Sequence, residues 1–446
     1  MSAKKSIYIA VEIKNREYLA HVLFAYKAAT KGYRVYLGSQ FQIFNLLKNK
    51  KDCGGIFFYH GGIDPKIFFQ IKDKVNYNFF LDHEIAPGHN LKTYKENCIG
   101  RFFPQTLKYI DGYFCVNKKV FNIAKKFLEK KIRGKVFLTG WPRIDLFKKK
   151  YQSLYKEKIM NIKKKYKKFI LFSSDFTYIS LNYKKILNDH KYWGYAKNYE
   201  KRFTNDNLLA TENYNDFKRV INFLNTIAET NKNIKLVVRC HPSENVNIWN
   251  KELSKKIIFR KPIDDIHSWI YASEGLLHRG CTTSMQAYFL KKKVGYIQAK
   301  NNPFKKKFLD RISFKIKNKN DFYKWLKLKK NNNNINIKKE LNITKIDSAD
   351  LILNIFKKLI INKENINNPP KAMNYFSVSI IDNFKRFLLT KLSNYNLLNR
   401  NIDKLFISPK LIGGLTSRET NQNLKKINKK TKVKSKQISY NLIAIE

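Results

Sequence analysis

The chain is poor in acid, poor in cysteine and without a long apolar run. Aspartate and glutamate number 34 against 89 lysines and arginines, a formal net charge of +55 over 446 residues. Cys53, Cys98, Cys115, Cys240 and Cys281 are odd in number and form no CxxC pair. That excludes a recognisable zinc ribbon and argues against a disulfide framework, so reduced thiols and a cytoplasmic setting are expected. The longest unbroken apolar stretches, residues 7–11 and 22–26, are five residues each. A membrane-spanning helix needs roughly 18 or more. Glu12 and Lys14 interrupt the first stretch too soon for a secretory leader. No zinc finger, RNP aromatic pattern or helix-turn-helix signature occurs, so nucleic acid is not an expected partner.

What is present suits a globular protein. Apolar residues make up 43% of the chain, which excludes a largely disordered one. Lysine, asparagine and isoleucine are heavy throughout, so much of the charge reflects composition rather than a dedicated basic arm. Anionic lipid head groups attract such a surface, at about 1 kcal/mol per nearby lysine.

Apolar periodicity predicts an α/β chain. Residues 6–13, 33–37, 54–58, 77–81, 111–116 and 135–138 read as strands, with helices over 17–31, 40–50, 65–74 and 118–130. This alternation calls for a parallel sheet covered by helices. Lysine-rich residues 149–167 read as a connection. A second series follows, with strands at 169–172, 235–238, 256–259, 275–277 and 294–296 and helices at 215–230, 283–290 and 348–361. The expected architecture is two Rossmann-like domains facing a cleft, over residues 1–148 and 168–362. A basic C-terminal extension, 363–446, carries an amphipathic helix at 376–398 and a lysine-rich end beyond 416 expected to be poorly ordered.

Two segments carry chemistry. Leu236-Val-Val-Arg-Cys-His-Pro-Ser-Glu244 runs a strand into Arg239 and His241, whose N–H groups suit phosphate oxygens. Glu274-Gly-Leu-Leu-His-Arg-Gly-Cys-Thr-Thr-Ser-Met-Gln-Ala-Tyr288 reads as strand, small-residue turn and helix. Gly280 permits close backbone approach there. Thr282, Thr283 and Ser284 sit at the helix start, as caps, as anion ligands or as both. Together the segments describe a diphosphate pocket built from successive strand ends.

Four stretches carry a resemblance. Glu12-Ile-Lys-Asn-Arg16, Thr139-Gly-Trp-Pro-Arg-Ile-Asp-Leu146, Arg239-Cys-His-Pro-Ser-Glu244 and His278-Arg-Gly-Cys-Thr-Thr-Ser-Met-Gln-Ala287 resemble the bacterial surface carbohydrate biosynthesis proteins. These are glycosyltransferase-like proteins of GT-B fold, related to capsule polysaccharide synthesis enzymes. The resemblance covers residues 6–300, and Lys410-Leu-Ile-Gly-Gly-Leu-Thr416 is similar to a C-terminal segment of the family. It implies a nucleotide-sugar donor, as substrate and not cofactor, in the second domain. It implies a glycan or lipid-linked acceptor in the first. In related sialyl-, Kdo- and polyol-phosphate transferases a His-Pro histidine contacts the nucleotide phosphates, which by motif match is His241. Gln286 stands where the family usually has a glutamate, and His83 where it tends to have an acid.

The remaining candidates follow from position. Asp82 and Glu84, after the strand at 77–81, are candidates for the base that deprotonates the acceptor, with Glu12 behind them. Either could instead be a surface acid pairing with lysine. Arg143 clamps an anion or pairs with Asp145, Asp175 faces the expected cleft, and His21 reads as structural. No DxD loop is present, and a GT-B site usually needs no metal. The expected activity is sugar transfer from a nucleotide donor, a CMP-linked one among the candidates, for surface polysaccharide or lipopolysaccharide. The alternatives are an epimerase or polyol-phosphate transferase of the same fold, or a non-catalytic basic binding protein.

Overall fold

The computed structural model describes residues 5–49, 54–60, 63–81, 104–176, 206–231, 233–241, 244, 246–262, 264–298, 307–329, 335–361, 411 and 413–446. The chain forms two compact units, residues 1–154 with 338–446, and residues 155–337.

The first unit opens with β1 (Ser6–Val11), α1 (Lys14–Thr30), β2 (Arg34–Ser39), α2 (Gln40–Lys48), β3 (Ile56–Tyr59), α3 (Pro65–Ile71) and β4 (Tyr77–Leu81). It continues with β5 (Gly112–Cys115), α4 (Lys118–Leu128), β6 (Lys135–Leu138) and α5 (Pro142–Asp145). All six residues of β1 are buried, as in a strand covered on both faces. Side-chain oxygens start the helices: Ser39 accepts from the Gln42 N–H, and Asn117 from the Val120 N–H. Gly55, at φ +76°, precedes β3 where a Cβ would lie 2.3 Å from the Ser6 carbonyl oxygen, so only glycine fits.

The second unit contains α6 (Lys156–Tyr166), β7 (Ile170–Ser173), α7 (Asp206–Thr230), β8 (Leu236–Arg239), α8 (Val246–Glu252), β9 (Ile258–Arg260) and α9 (Ile266–Ala272). Then come β10 (Gly275–His278), α10 (Thr283–Phe289), β11 (Lys293–Ile297), β12 (Phe314–Ile316) and α11 (Lys319–Lys327). Its sheet is parallel in the order β12-β11-β10-β7-β8-β9. One apolar cluster joins Phe172, Leu224, Val238 and Trp249, and a second on the other face joins Ile162, Leu171, Trp269 and Ala287. The lysine-rich connection thus divides: residues 149–154 stay with the first unit, and α6 buries Ile162 and Tyr166 in the second.

The chain then returns to the first unit through α12 (Ser348–Ile361), α13 (Ser417–Ile427), β13 (Ser435–Ser439) and β14 (Leu442–Ile445). Two expectations are corrected here. Residues 348–361 do not belong to the second domain. Phe356 of α12 packs on Phe79 at 4.7 Å between ring centroids, and on Phe24, Phe58 and Phe114. Residues beyond 416 are not a loose tail. β14 pairs antiparallel with β2, β13 pairs antiparallel with β14, and the sheet reads β13-β14-β2-β1-β3-β4-β5-β6 among the described residues. The physical reason is an edge to be covered: without β14, β2 would expose a row of unpaired backbone groups. Gly38 makes room for it, since a Cβ there would meet Leu442 Cδ1 at 2.8 Å. The amphipathic helix read over 376–398 lies outside the described residues. No described helix is long and apolar enough to cross a membrane.

Candidate functional site

Strand order locates the candidate sites. In the second unit the chain runs β7-β8-β9 in one direction, then jumps back to β10 on the other side of β7 and continues to β12. The switch point lies between β7 and β10, the Rossmann arrangement in which ligands bind beyond the carboxyl ends of the strands. In the first unit β2 and β3 flank β1, so the switch point lies between β1 and β3.

At the switch point of the second unit the turn after β10 meets the end of β7, which lies between β10 and β8. Thr283 Oγ1 lies within hydrogen-bond reach of Ser173 Oγ at 3.1 Å and of Cys281 Sγ at 3.0 Å, tying the turn after β10 to the end of β7. Ser284 Oγ donates back to the Cys281 carbonyl at 2.7 Å, and no side chain caps α10 at Thr282. Gly280 passes so close to Asp175 that a Cβ would lie 3.1 Å from its Oδ2. Asp175 also faces Arg279, with 3.7 Å between Oδ1 and Nη1. Arg279 is buried, donates from Nε to Asp216 and lies over the Phe176 ring. Gln286 is buried on α10 with its Oε1 enclosed.

Of the pair read after β8, His241 is half-buried and its carbonyl accepts the Glu244 N–H at 2.9 Å. Arg239 is turned elsewhere. Its guanidinium is buried and donates to the carbonyls of Asp264 and Asp265 and to the Asp264 carboxylate, holding the turn before α9. Arg143, on α5, is also buried, with its guanidinium carbon 4.3 Å from the centre of the Trp141 ring. Its neighbour Asp145 accepts from Lys148 Nζ at 2.8 Å and from the Ser348 N–H at 2.6 Å. Asp82 and Glu84 lie outside the described residues, just past the carboxyl end of β4. Glu12 follows β1, with Arg16 Nη2 at 3.9 Å from its carboxylate.

Several further polar residues gather near these strand ends. Glu244 closes the segment that begins at Arg239. It is buried, accepts from Ser174 Oγ at 2.7 Å and from Trp249 Nε1 at 2.8 Å, and so binds the end of β7 to α8. Burial, helped by the charge of Asp175, pushes its pKa up to about 8. Burial likewise pushes the Cys240 thiol up to about 12 and raises that of Cys281, so neither is an activated nucleophile. Glu17, His21 and His60 converge in the first unit. The spacing of Glu17 and His21 on one helical face was legible, but their meeting with His60 depends on the pairing of β1 with β3.

No protein-family model matches the chain, and no curated protein matches it in sequence. Among solved structures it is similar to the UDP-GlcNAc 2-epimerase of Methanocaldococcus jannaschii in complex with UDP-GlcNAc and UDP. The identity is 12%, the match covers 79% of this chain and 99% of that one, and the TM-score is 0.51. It is similar to S. aureus MnaA with UDP at 13% identity, covering 82% and 99%, with a TM-score of 0.49. It is also similar to a variant of the wall teichoic acid polymerase TagF at 11% identity, covering 80% and 90%, with a TM-score of 0.37. At such identities the likeness speaks to fold: α/β, two Rossmann-like units of GT-B type.

Proposed function

We propose that the chain is an enzyme of nucleotide-sugar chemistry, and specifically a glycosyltransferase of surface polysaccharide or lipopolysaccharide assembly. It transfers a sugar from a nucleotide donor to a glycan or lipid-linked acceptor. The observation that carries this reading is the meeting of the Gly280–Thr283 turn with Ser173 and Asp175 at the β7/β10 switch point, beside the strand end that leads to His241. In this reading His241 and the Gly280–Thr283 turn hold the donor diphosphate, with Gln286 beneath them. Asp175 orients the donor sugar on the second unit, and Arg143 belongs to the acceptor side of the first. The base is Asp82 or Glu84, with Glu12 behind them. The enzyme works at the cytoplasmic face of the membrane, drawn there by its positive charge.

A second reading is a nucleotide-sugar epimerase. The observation favouring it is the likeness to the M. jannaschii 2-epimerase, which extends over 99% of that chain at a TM-score of 0.51.

A thermal-shift screen against UDP, CMP, GDP and CDP tests the shared premise. A nucleotide at 100 times its dissociation constant adds about 2.7 kcal/mol of stability. His241→Ala weakens the binding of that nucleotide by about 1.5–3 kcal/mol, the range for a hydrogen bond to a charged group. If no nucleotide stabilises the protein, the reading fails. With the matching nucleotide-sugar, acceptor-dependent nucleotide release marks a transferase and interconversion of sugars marks an epimerase. Binding without turnover marks a protein that has kept only the fold.

A further inference from the structure

The switch point of the first sheet holds a side-chain cluster outside the proposed donor chemistry. Glu17 and His21 stand at i and i+4 on α1, on one helical face. His60 follows β3, the strand beside β1. All three side chains are buried, and one ligand atom of each lies within 4.8 Å of the other two. Glu17 Oε2 is 2.9 Å from His60 Nε2, and the two imidazole rings are 5.6 Å apart between centroids. A carboxylate with two imidazoles is a donor set for Zn²⁺ and neighbouring first-row divalent ions.

The carboxylate is held from outside the cluster. Its Oε1 accepts from Arg16 Nε at 3.0 Å and Nη2 at 2.7 Å, and its Oε2 accepts from the Glu12 N–H at 3.0 Å. Outer hydrogen bonds of this kind orient a metal-binding carboxylate. The arginine occupies the oxygen away from His60, and the lone pair of Oε2 that faces His60 Nε2 is the one an ion held between them would take.

We propose that Glu17, His21 and His60 form a three-ligand site for a divalent transition-metal ion, Zn²⁺ by its donor set, at the β1/β3 switch point. Three protein ligands leave one tetrahedral position for water or an oxygen of a bound molecule. The proposal does not depend on which nucleotide-sugar reaction the chain performs.

The test uses the full chain, stripped with a chelator and titrated with Co²⁺ and then with Zn²⁺. The expected result is about one equivalent of Co²⁺ per chain, with the visible bands of four-coordinate nitrogen and oxygen ligation, displaced by Zn²⁺. His60→Gln and His21→Gln each weaken binding about ten-fold or more, since even outer-shell losses cost that much. Circular dichroism selects folded variants, and Arg16→Gln, which leaves all three ligands in place, gives a second, milder reading. Binding well below one equivalent in the intact protein overturns the proposal. So does a thiolate-to-cobalt band in the near ultraviolet, or unchanged affinity in folded His21→Gln and His60→Gln.

Discussion

A chain with so few carboxylates uses some of them as hubs. Asp347 is buried and accepts from Lys148 at 2.9 Å, Lys27 at 3.0 Å, Lys150 at 2.7 Å and the Tyr151 hydroxyl. Burial alone would raise its pKa, but these partners hold it well below the usual carboxylate range. Removing one member of a fully buried ion pair costs about 3–5 kcal/mol, and the partial exposure of Lys27, Lys148 and Lys150 puts this site at the lower end of that range. Asp347→Asn is therefore expected to lower the stability of the first unit by about that amount in urea unfolding. Glu244 has the opposite sign. Its folded pKa, about 8, exceeds its ordinary value of 4.5. The folded state keeps a proton that the unfolded state gives up between those values, so stability falls as pH rises from about 4.5 to 8. Glu244→Gln should flatten the melting temperature across that window and gain on the native protein at its alkaline end. A mutant profile parallel to the native one would show that Glu244 is not the titrating group. Neither role was legible in the sequence. Asp347 gave no motif, and Glu244 gains its meaning only when Ser174 and Trp249 are brought to it by β7 and α8.

Elements were more legible than residues, and the reason is burial. β4 at Tyr77–Leu81 and β6 at Lys135–Leu138 fall on the residues that apolar patterning assigns. β7, β8 and β10 fall within about a residue of theirs, because central parallel strands are continuous apolar runs. The hairpin of β13 and β14 escaped because an edge strand needs only one covered face. Its first strand reads Ser-Lys-Gln-Ile-Ser, which by composition belongs to a solvated tail. The small-residue turn before α10 was likewise legible, whereas the inward turn of Arg239 was not, since its partners lie in another loop. The hairpin is fixed by its approach. Thr416 caps α13 by accepting the Glu419 N–H at 3.2 Å, and Tyr18 of α1 meets Thr420 at 2.5 Å. Thr416→Ala is expected to cost about 1 kcal/mol, the usual worth of such a cap. Deleting residues 435–446 bares the β2 edge, and light scattering should then report more self-association than the intact chain shows. A truncated chain that stays monomeric would show that β2 needs no such cover.

At the scale of the molecule the excess of base over acid is the dominant physical fact. With 89 basic and 34 acidic residues, a net charge of +55 remains even with every carboxylate ionised. Attraction to anionic surfaces follows from that surplus and needs no dedicated helix. Full-length protein is expected to float with anionic vesicles at low salt and to release as ionic strength shortens the reach of its charges, with neutral vesicles ignored. Flotation that persists at high salt would point instead to apolar insertion.

The pairing of β14 with β2 also sets an order of events during synthesis. The first unit to emerge from the ribosome is the last that can be finished, because its sheet waits for residues 442–445 and its aromatic core for Phe356. Residues 155–337 carry a whole sheet of their own and can close around it while the rest is still being made. Over that interval β2 stands with one side open, and a nascent chain of this charge is kept from its neighbours by repulsion rather than by a finished edge.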